Sequence, residues 1–132
     1  MSPTATTDLQ DVGLLLERQD RLEFAVLIGS RSTGQATVQS DWDIAIQWGA
    51  ELSFTEQLAR TEQLRHALMR SLGIEEKKVD LIDVRIARLA LRSLVAEEGR
   101  VLAVNDELAW IRFLKTTWSE LEDHYWRAQH AA

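Results

Sequence analysis

Polar and apolar positions alternate most cleanly over Asp41-Trp42-Asp43-Ile44-Ala45-Ile46-Gln47-Trp48. Side chains of an extended chain point to opposite faces with period two. The run therefore predicts a strand with Asp41 and Asp43 on one face and Trp42, Ile44, Ile46 and Trp48 on the other. Leu22 to Ile28 closes on the unbroken apolar run Phe24-Ala25-Val26-Leu27-Ile28 and predicts a second strand. Lys78 to Val84, Lys-Val-Asp-Leu-Ile-Asp-Val, predicts a third. Helical spacing fills the intervals. Leucines and Val12 predict a short helix from Asp8, as its cap, to about Arg18. Ser53-Phe54-Thr55-Glu56 fits a capping box. The helix it opens has a mainly apolar face through Phe54, Leu58, Thr61, Leu64 or Arg65, Leu68 and Leu72, and stops at Gly73. Ile86 to Glu98 is predicted helical through Ile86, Leu89, Ala90, Leu94 and Val95, with Gly99 as its stop. A last helix, capped by Asn105 or Asp106, runs to about Arg127. Ile111, Leu114, Trp118, Leu121 and Tyr125 mark its face, and Trp110, Phe113 and Trp126 widen it. The expected order is helix, strand, strand, helix, strand, helix, helix. That is an α/β (α+β) fold, a small mixed sheet packed with helices and ending in C-terminal helices.

Length and composition narrow this picture. The 132 residues suit one domain with a modest core. Pro3 is the single proline, and neither repeats nor low-complexity segments mark a boundary. The chain is read as one domain over 1–132, with its core at about 8–102 and the C-terminal helix at about 106–127. With no cysteine, neither a disulfide nor a thiolate metal site can form. No apolar run approaches the roughly 20 residues that span a bilayer. Residues 1–7 are polar, are expected to fray, and lack the pattern of a signal peptide. The expectation is a cytoplasmic protein without a membrane partner. A net charge of -6 argues against direct nucleic-acid binding, which normally shows a basic stripe. It is compatible with an acidic, metal-loaded site or a basic protein partner. Three of the five tryptophans lie in the last quarter. The breadth of the last helix's apolar face suggests a docking surface, with Trp118 inward and Trp110 or Trp126 toward a partner.

The polar positions of the strands carry the candidate chemistry. Asp41 and Asp43 side by side repel each other unless a cation lies between them. In the third strand Asp80 and Asp83 have opposite parity, so at most one joins that face. Asp80, inside the strand between Val79 and Leu81, is the better candidate, and Asp83 fits a solvated strand end. Three carboxylates give the hard oxygen ligation that suits Mg²⁺. Two such ions about 3.5–4 Å apart can clamp an attacking oxygen and a phosphate in line. The first strand ends at Gly29-Ser30, where a glycine lets backbone approach phosphate closely. Arg31 suits a bidentate phosphate contact or an ordinary surface position. Lys77 and Lys78 read as solvated turn residues, His66 as exposed, and Arg85 as a residue that either meets nucleotide or partner or stays on the surface.

Gly29-Ser30, ten residues, Asp41-x-Asp43 and a later strand with Asp80 resemble the signature of the DNA polymerase β-like nucleotidyltransferases. The short chain resembles their minimal nucleotidyltransferase (MNT) subgroup. Val79-Asp80-Leu81-Ile82-Asp83-Val84-Arg85 is similar to that subgroup's third-strand segment, and the resemblance extends from Phe24 to Leu102. It implies a nucleotidyltransferase fold and an antitoxin that acts on a HEPN-domain ribonuclease toxin in a hetero-oligomer. It further implies AMP transfer from ATP to a toxin tyrosine. Gly29, Ser30 and Arg31 would then hold nucleotide, and Asp41, Asp43 and Asp80 would bind two Mg²⁺ ions and carry catalysis. Two alternatives stand beside it: an antitoxin that inhibits by binding alone, and a nucleotidyltransferase for a small molecule such as an aminoglycoside.

Overall fold

The protein is described by a computed structural model covering residues 5–35 and 41–131. Nine helices and strands can be numbered along the described chain: α1 (Ala5–Glu17), β1 (Leu22–Ile28), α2 (Ser30–Thr33), β2 (Trp42–Trp48), α3 (Phe54–Leu72), β3 (Val79–Asp83), α4 (Leu89–Glu98), β4 (Arg100–Val104) and α5 (Glu107–His130). The strands form one mixed sheet in the order β3-β2-β1-β4. β1 runs antiparallel to both β2 and β4, and β2 runs parallel to β3. A parallel pair needs a crossover, and α3 supplies it.

The period-two pattern sorts the core into two layers. Trp42, Ile44, Ile46 and Trp48 join Ala25, Leu27 and Leu81 on one face, packed with Val12 and Leu16 of α1 and Leu64 and Leu68 of α3. Phe24, Val26, Ile28 and Ala45 face the other way, against Val95 of α4 and Phe113 of α5. Helices thus cover both faces. The second face is cemented by rings: Phe24 lies 4.9 Å from Trp110 and 5.2 Å from Phe113, centroid to centroid.

The capping box at Ser53 and Glu56 forms as expected. Further along α3 the expected face is only partly used. Leu64 and Leu68 are buried, and the Thr61 hydroxyl accepts from Trp48 Nε1 at 3.0 Å, while Phe54 and Leu58 are exposed. The first turns of the helix thus leave their apolar side chains outside the layer. Gly73, in the left-handed conformation, ends it.

Several expectations need correction. β4 is absent from the expected order, because Arg100 to Val104 follow a helix too closely to signal a strand. It nonetheless pairs with β1 along Phe24 to Leu27. Gly99 makes this tight junction possible: a Cβ there would lie 2.4 Å from Val26 Cγ1 and 2.6 Å from the Val95 carbonyl oxygen. α4 begins at Leu89, and Ile86 is exposed in the turn before it. α1 begins three residues before Asp8, so Asp8 lies in its first turn and is not its cap. Ala5 to Thr7, expected to fray, belong to that helix. The expected frayed residues 1–4 lie outside the described ones. The choice of cap for α5 falls to Asp106, whose side chain accepts from the Ala109 N–H, while Asn105 Nδ2 donates to the Leu16 carbonyl. Along α5 the buried face is turned from the expected one. Trp110, Phe113, Leu114 and Thr117 face the sheet, and Trp118 is 47% exposed. Trp126 points outward as expected.

Candidate active site

The site lies where β1 ends and β2 and β3 begin. Ile28 pairs with Asp43 across the antiparallel ladder, and Asp43 pairs with Asp80 across the parallel one. Paired residues of adjacent strands share a face and stand about 4.8 Å apart at the backbone. Asp43 and Asp80 are therefore brought side by side. Asp41 stands two residues before Asp43, ahead of β2, and is exposed. Asp83 serves the backbone instead: its Oδ1 accepts from the Arg85 N–H at 2.9 Å and caps the turn after β3.

Gly29 closes the same corner. Its φ of +80° belongs to the region that L side chains rarely adopt, and a Cβ there would lie 2.9 Å from Asp43 Oδ2. Only glycine lets β1 turn immediately against that carboxylate. The chain then makes the single turn α2, tied by Ser32 Oγ donating to the Gly29 carbonyl at 2.7 Å and Thr33 Oγ1 donating to the Ser30 carbonyl at 3.0 Å. Ser30, at the head of this turn, is exposed.

Charge sets this corner apart. Burial raises the Asp43 carboxyl above its ordinary range, and the neighbouring charges of Asp80 and Asp41 push it the same way. A carboxylate crowded by two others is one that a nearby cation would relieve. Cations do approach Asp41. Lys78 Nζ lies 3.8 Å from Asp41 Oδ1. The Arg31 guanidinium stacks over the Trp42 ring at 4.5 Å, where burial lowers its pKa and the charges of Asp8 and Asp41 oppose that shift. Lys78 is thus half-buried beside the candidate site and not the solvated turn residue expected. Lys77, paired with Glu75 at 3.4 Å, does remain a solvated turn residue. Parity could have flagged Lys78, which precedes β3 as Asp41 precedes β2, but sequence spacing could not register one strand on the other.

Among the described residues, no three acidic or histidine side chains are gathered tightly enough to hold a metal ion as they stand. The donor set nevertheless fits a hard divalent cation: carboxylate oxygens alone, two in register and a third nearby, with mutual repulsion that a cation would relieve. Arg85 is far from this chemistry. It donates to the Trp48 carbonyl at 3.2 Å and pairs with Glu23 at 3.1 Å, at the opposite end of β2. Two cavities of about 580 and 630 Å³ line that distant end, and neither includes Asp41, Asp43 or Asp80.

A four-stranded mixed sheet with glycine turn and paired acids at one corner defines a nucleotidyltransferase-type domain. A family model for Polymerase beta, Nucleotidyltransferase matches residues 10–108, and the chain belongs to that family. The protein adenylyltransferase MntA of Aphanizomenon flos-aquae (strain 2012/KM1/D3) is 28% identical over 100 residues. That match takes in 72% of this chain and 66% of that protein, just under two thirds of its length. A crystal structure of a toxin–antitoxin with AMP-PNP matches with a TM-score of 0.65 at 25% identity, covering 92% of this chain and 90% of that one. The toxin–antitoxin MntA–HepT matches at 0.62 and 25%, covering 94% and 91%. A tri-AMPylated Shewanella oneidensis HEPN toxin in complex with MNT antitoxin shares the fold at 0.64 and 23% identity, covering 96% and 92%.

Proposed function

We infer that this chain is an antitoxin enzyme that transfers AMP from ATP to a tyrosine of a HEPN ribonuclease toxin. One observation carries the reading: Asp43 and Asp80 stand in register, with Asp41 two residues away and the Gly29 turn set against Asp43. The relatives support the choice of acceptor. One is named a protein adenylyltransferase, one is a toxin–antitoxin with AMP-PNP, and one holds an AMPylated HEPN toxin.

In this reading Gly29, Ser30 and Arg31 hold the triphosphate, through backbone N–H groups, a hydroxyl and a guanidinium. Asp41, Asp43 and Asp80 would hold Mg²⁺, which neutralises phosphate charge and favours the ionised form of the acceptor hydroxyl. The tyrosine oxygen forms a bond to the α-phosphorus, and the bond from that phosphorus to the bridging oxygen of pyrophosphate breaks. A tyrosine hydroxyl has a pKa of about 10. In this reading Asp80, which is exposed, takes its proton. The remaining contribution of the protein is position, as in phosphoryl transfer generally. Among the described residues no helix is long and apolar enough to cross a membrane. A partner that cleaves RNA would be met in the cytoplasm.

A second reading has support of its own. α5 exposes Leu108, Ile111, Trp118, Tyr125 and Trp126, an apolar surface suited to stable binding of a protein. Inhibition by binding alone would survive loss of the carboxylates. The decisive experiment mixes the chain with purified toxin, ATP and Mg²⁺ and follows the intact mass of the toxin. The wild-type chain should add whole AMP units, and the Asp41→Ala/Asp43→Ala double variant none. An unmodified toxin that is nonetheless inhibited by both would replace the enzymatic reading with the binding one.

A further inference from the structure

Asp41 stands between two charge environments. On one side Asp43 pairs with Asp80 across β2 and β3 and follows Asp41 by two residues; burial, and after it the charges of Asp80 and Asp41, raise its carboxyl. On the other side the Lys78 ammonium lies 3.8 Å from Asp41 Oδ1, and Arg31 is electrostatically coupled to the same carboxylate. The two cations differ in flexibility. The Arg31 guanidinium is laid flat on the Trp42 ring. Lys78 ends a flexible four-carbon stem, and its side chain is 29% exposed against 55% for Asp41. An ammonium at this position neutralises a carboxylate that the acid cluster would otherwise leave crowded.

We propose that Lys78 is a positioning residue that serves the site in two successive ways. Before metal arrives it is the counter-cation of Asp41 and keeps that carboxylate apart from Asp43 and Asp80. With Asp41 engaged as a ligand of a divalent cation, the Lys78 ammonium would be released from that carboxylate and would donate to the oxygens of the incoming triphosphate. The competition costs little, because ion pairs this exposed are weak. The gain on nucleotide is larger, because an ammonium donating to phosphate forms a charge-assisted hydrogen bond. The inference rests on the AMP-transfer reading for the identity of the nucleotide, and the placement of Lys78 beside Asp41 is independent of it.

The two roles predict shifts of opposite sign in one variant. In Lys78→Met, Mn²⁺ alone, titrated by electron paramagnetic resonance, should bind about two- to fivefold more tightly than in wild type. AMP-PNP with Mg²⁺, titrated by calorimetry, should bind about tenfold more weakly. Lys78→Arg should restore most of the nucleotide affinity. A side chain that merely supports the fold would move both affinities in one direction, and a spectator would move neither; either result overturns the proposal. Neither titration contains a toxin. The proposal can therefore fail while AMP transfer stands, and a toxin that stays unmodified by the wild-type chain would sink the transfer reading while these titrations still succeed.

Discussion

At the scale of single residues, the site is a local sacrifice of stability. The folded state raises the Asp43 carboxyl, first through burial and then through Asp80 and Asp41. Folded protein thus holds a proton over a pH range in which the unfolded chain has already released it. Stability is lost as pH rises through that range, starting near the ordinary aspartate pKa of about 3.9. Asp43→Asn removes the penalty. In chelator at pH 7 it should melt at a higher temperature than wild type, with the difference closing below about pH 4. Added Mg²⁺ should stabilise wild type and leave the variant unmoved, and AMP transfer by the variant should vanish. A variant that melts lower than wild type at pH 7 would contradict this charge assignment. Gly29→Ala probes the same corner from the backbone. A side chain at φ +80° and 2.9 Å from Asp43 Oδ2 should cost about 1–2 kcal/mol in denaturant unfolding and reduce AMP transfer more than stability.

At the scale of elements, legibility follows how local the cause is. The strand β2 was readable because alternation fixes its faces, and Asp80 was chosen over Asp83 from its place inside the strand once parity had limited the choice to one. The capping box at Ser53 was readable because all its partners lie within four residues. β4 was not readable: five residues directly after a helix carry no strand signal, and what makes them a strand is the unpaired edge of β1. Lys78 was missed for the same reason, since its partner Asp41 is set by the register of β2 on β3. The rotation of α5 has a comparable cause. Several apolar stripes compete along that helix, and the Phe24 ring selects the one bearing Trp110 and Phe113. This selection is testable. Phe113→Ala should cost about 3–5 kcal/mol in chemical denaturation. Trp118→Ala should stay within about 0.5 kcal/mol of wild type. If α5 docks the toxin, the same Trp118→Ala should weaken toxin binding measured by calorimetry. A large stability loss at Trp118 would mean that the helix is turned the other way.

At the scale of the whole molecule, the two faces of the sheet divide the labour. The layer under α1 and α3 is apolar almost throughout and supplies the rigid floor. The face bearing Asp43 and Asp80 is covered by α4 and α5 over β1, leaving the acids at a corner reached by the Gly29 turn. Ion pairing locks this cover, with Arg92 of α4 at 2.6 Å from Glu120 of α5. Beyond Leu121 the last helix is exposed on every side, and its final turns extend past the core. In the proposed reading chemistry and docking occupy different parts of one small chain, and losing either should leave the other measurable. The most direct test of the chemistry follows the label from ATP carrying radioactive phosphorus at either the α or the γ position, with purified HEPN toxin and Mg²⁺. Label from the α position should become fixed on the toxin, label from the γ position should leave as pyrophosphate, and Asp43→Asn should abolish the transfer. Fixed γ label, or α label fixed equally well by Asp43→Asn, would contradict adenylyl transfer at this carboxylate corner.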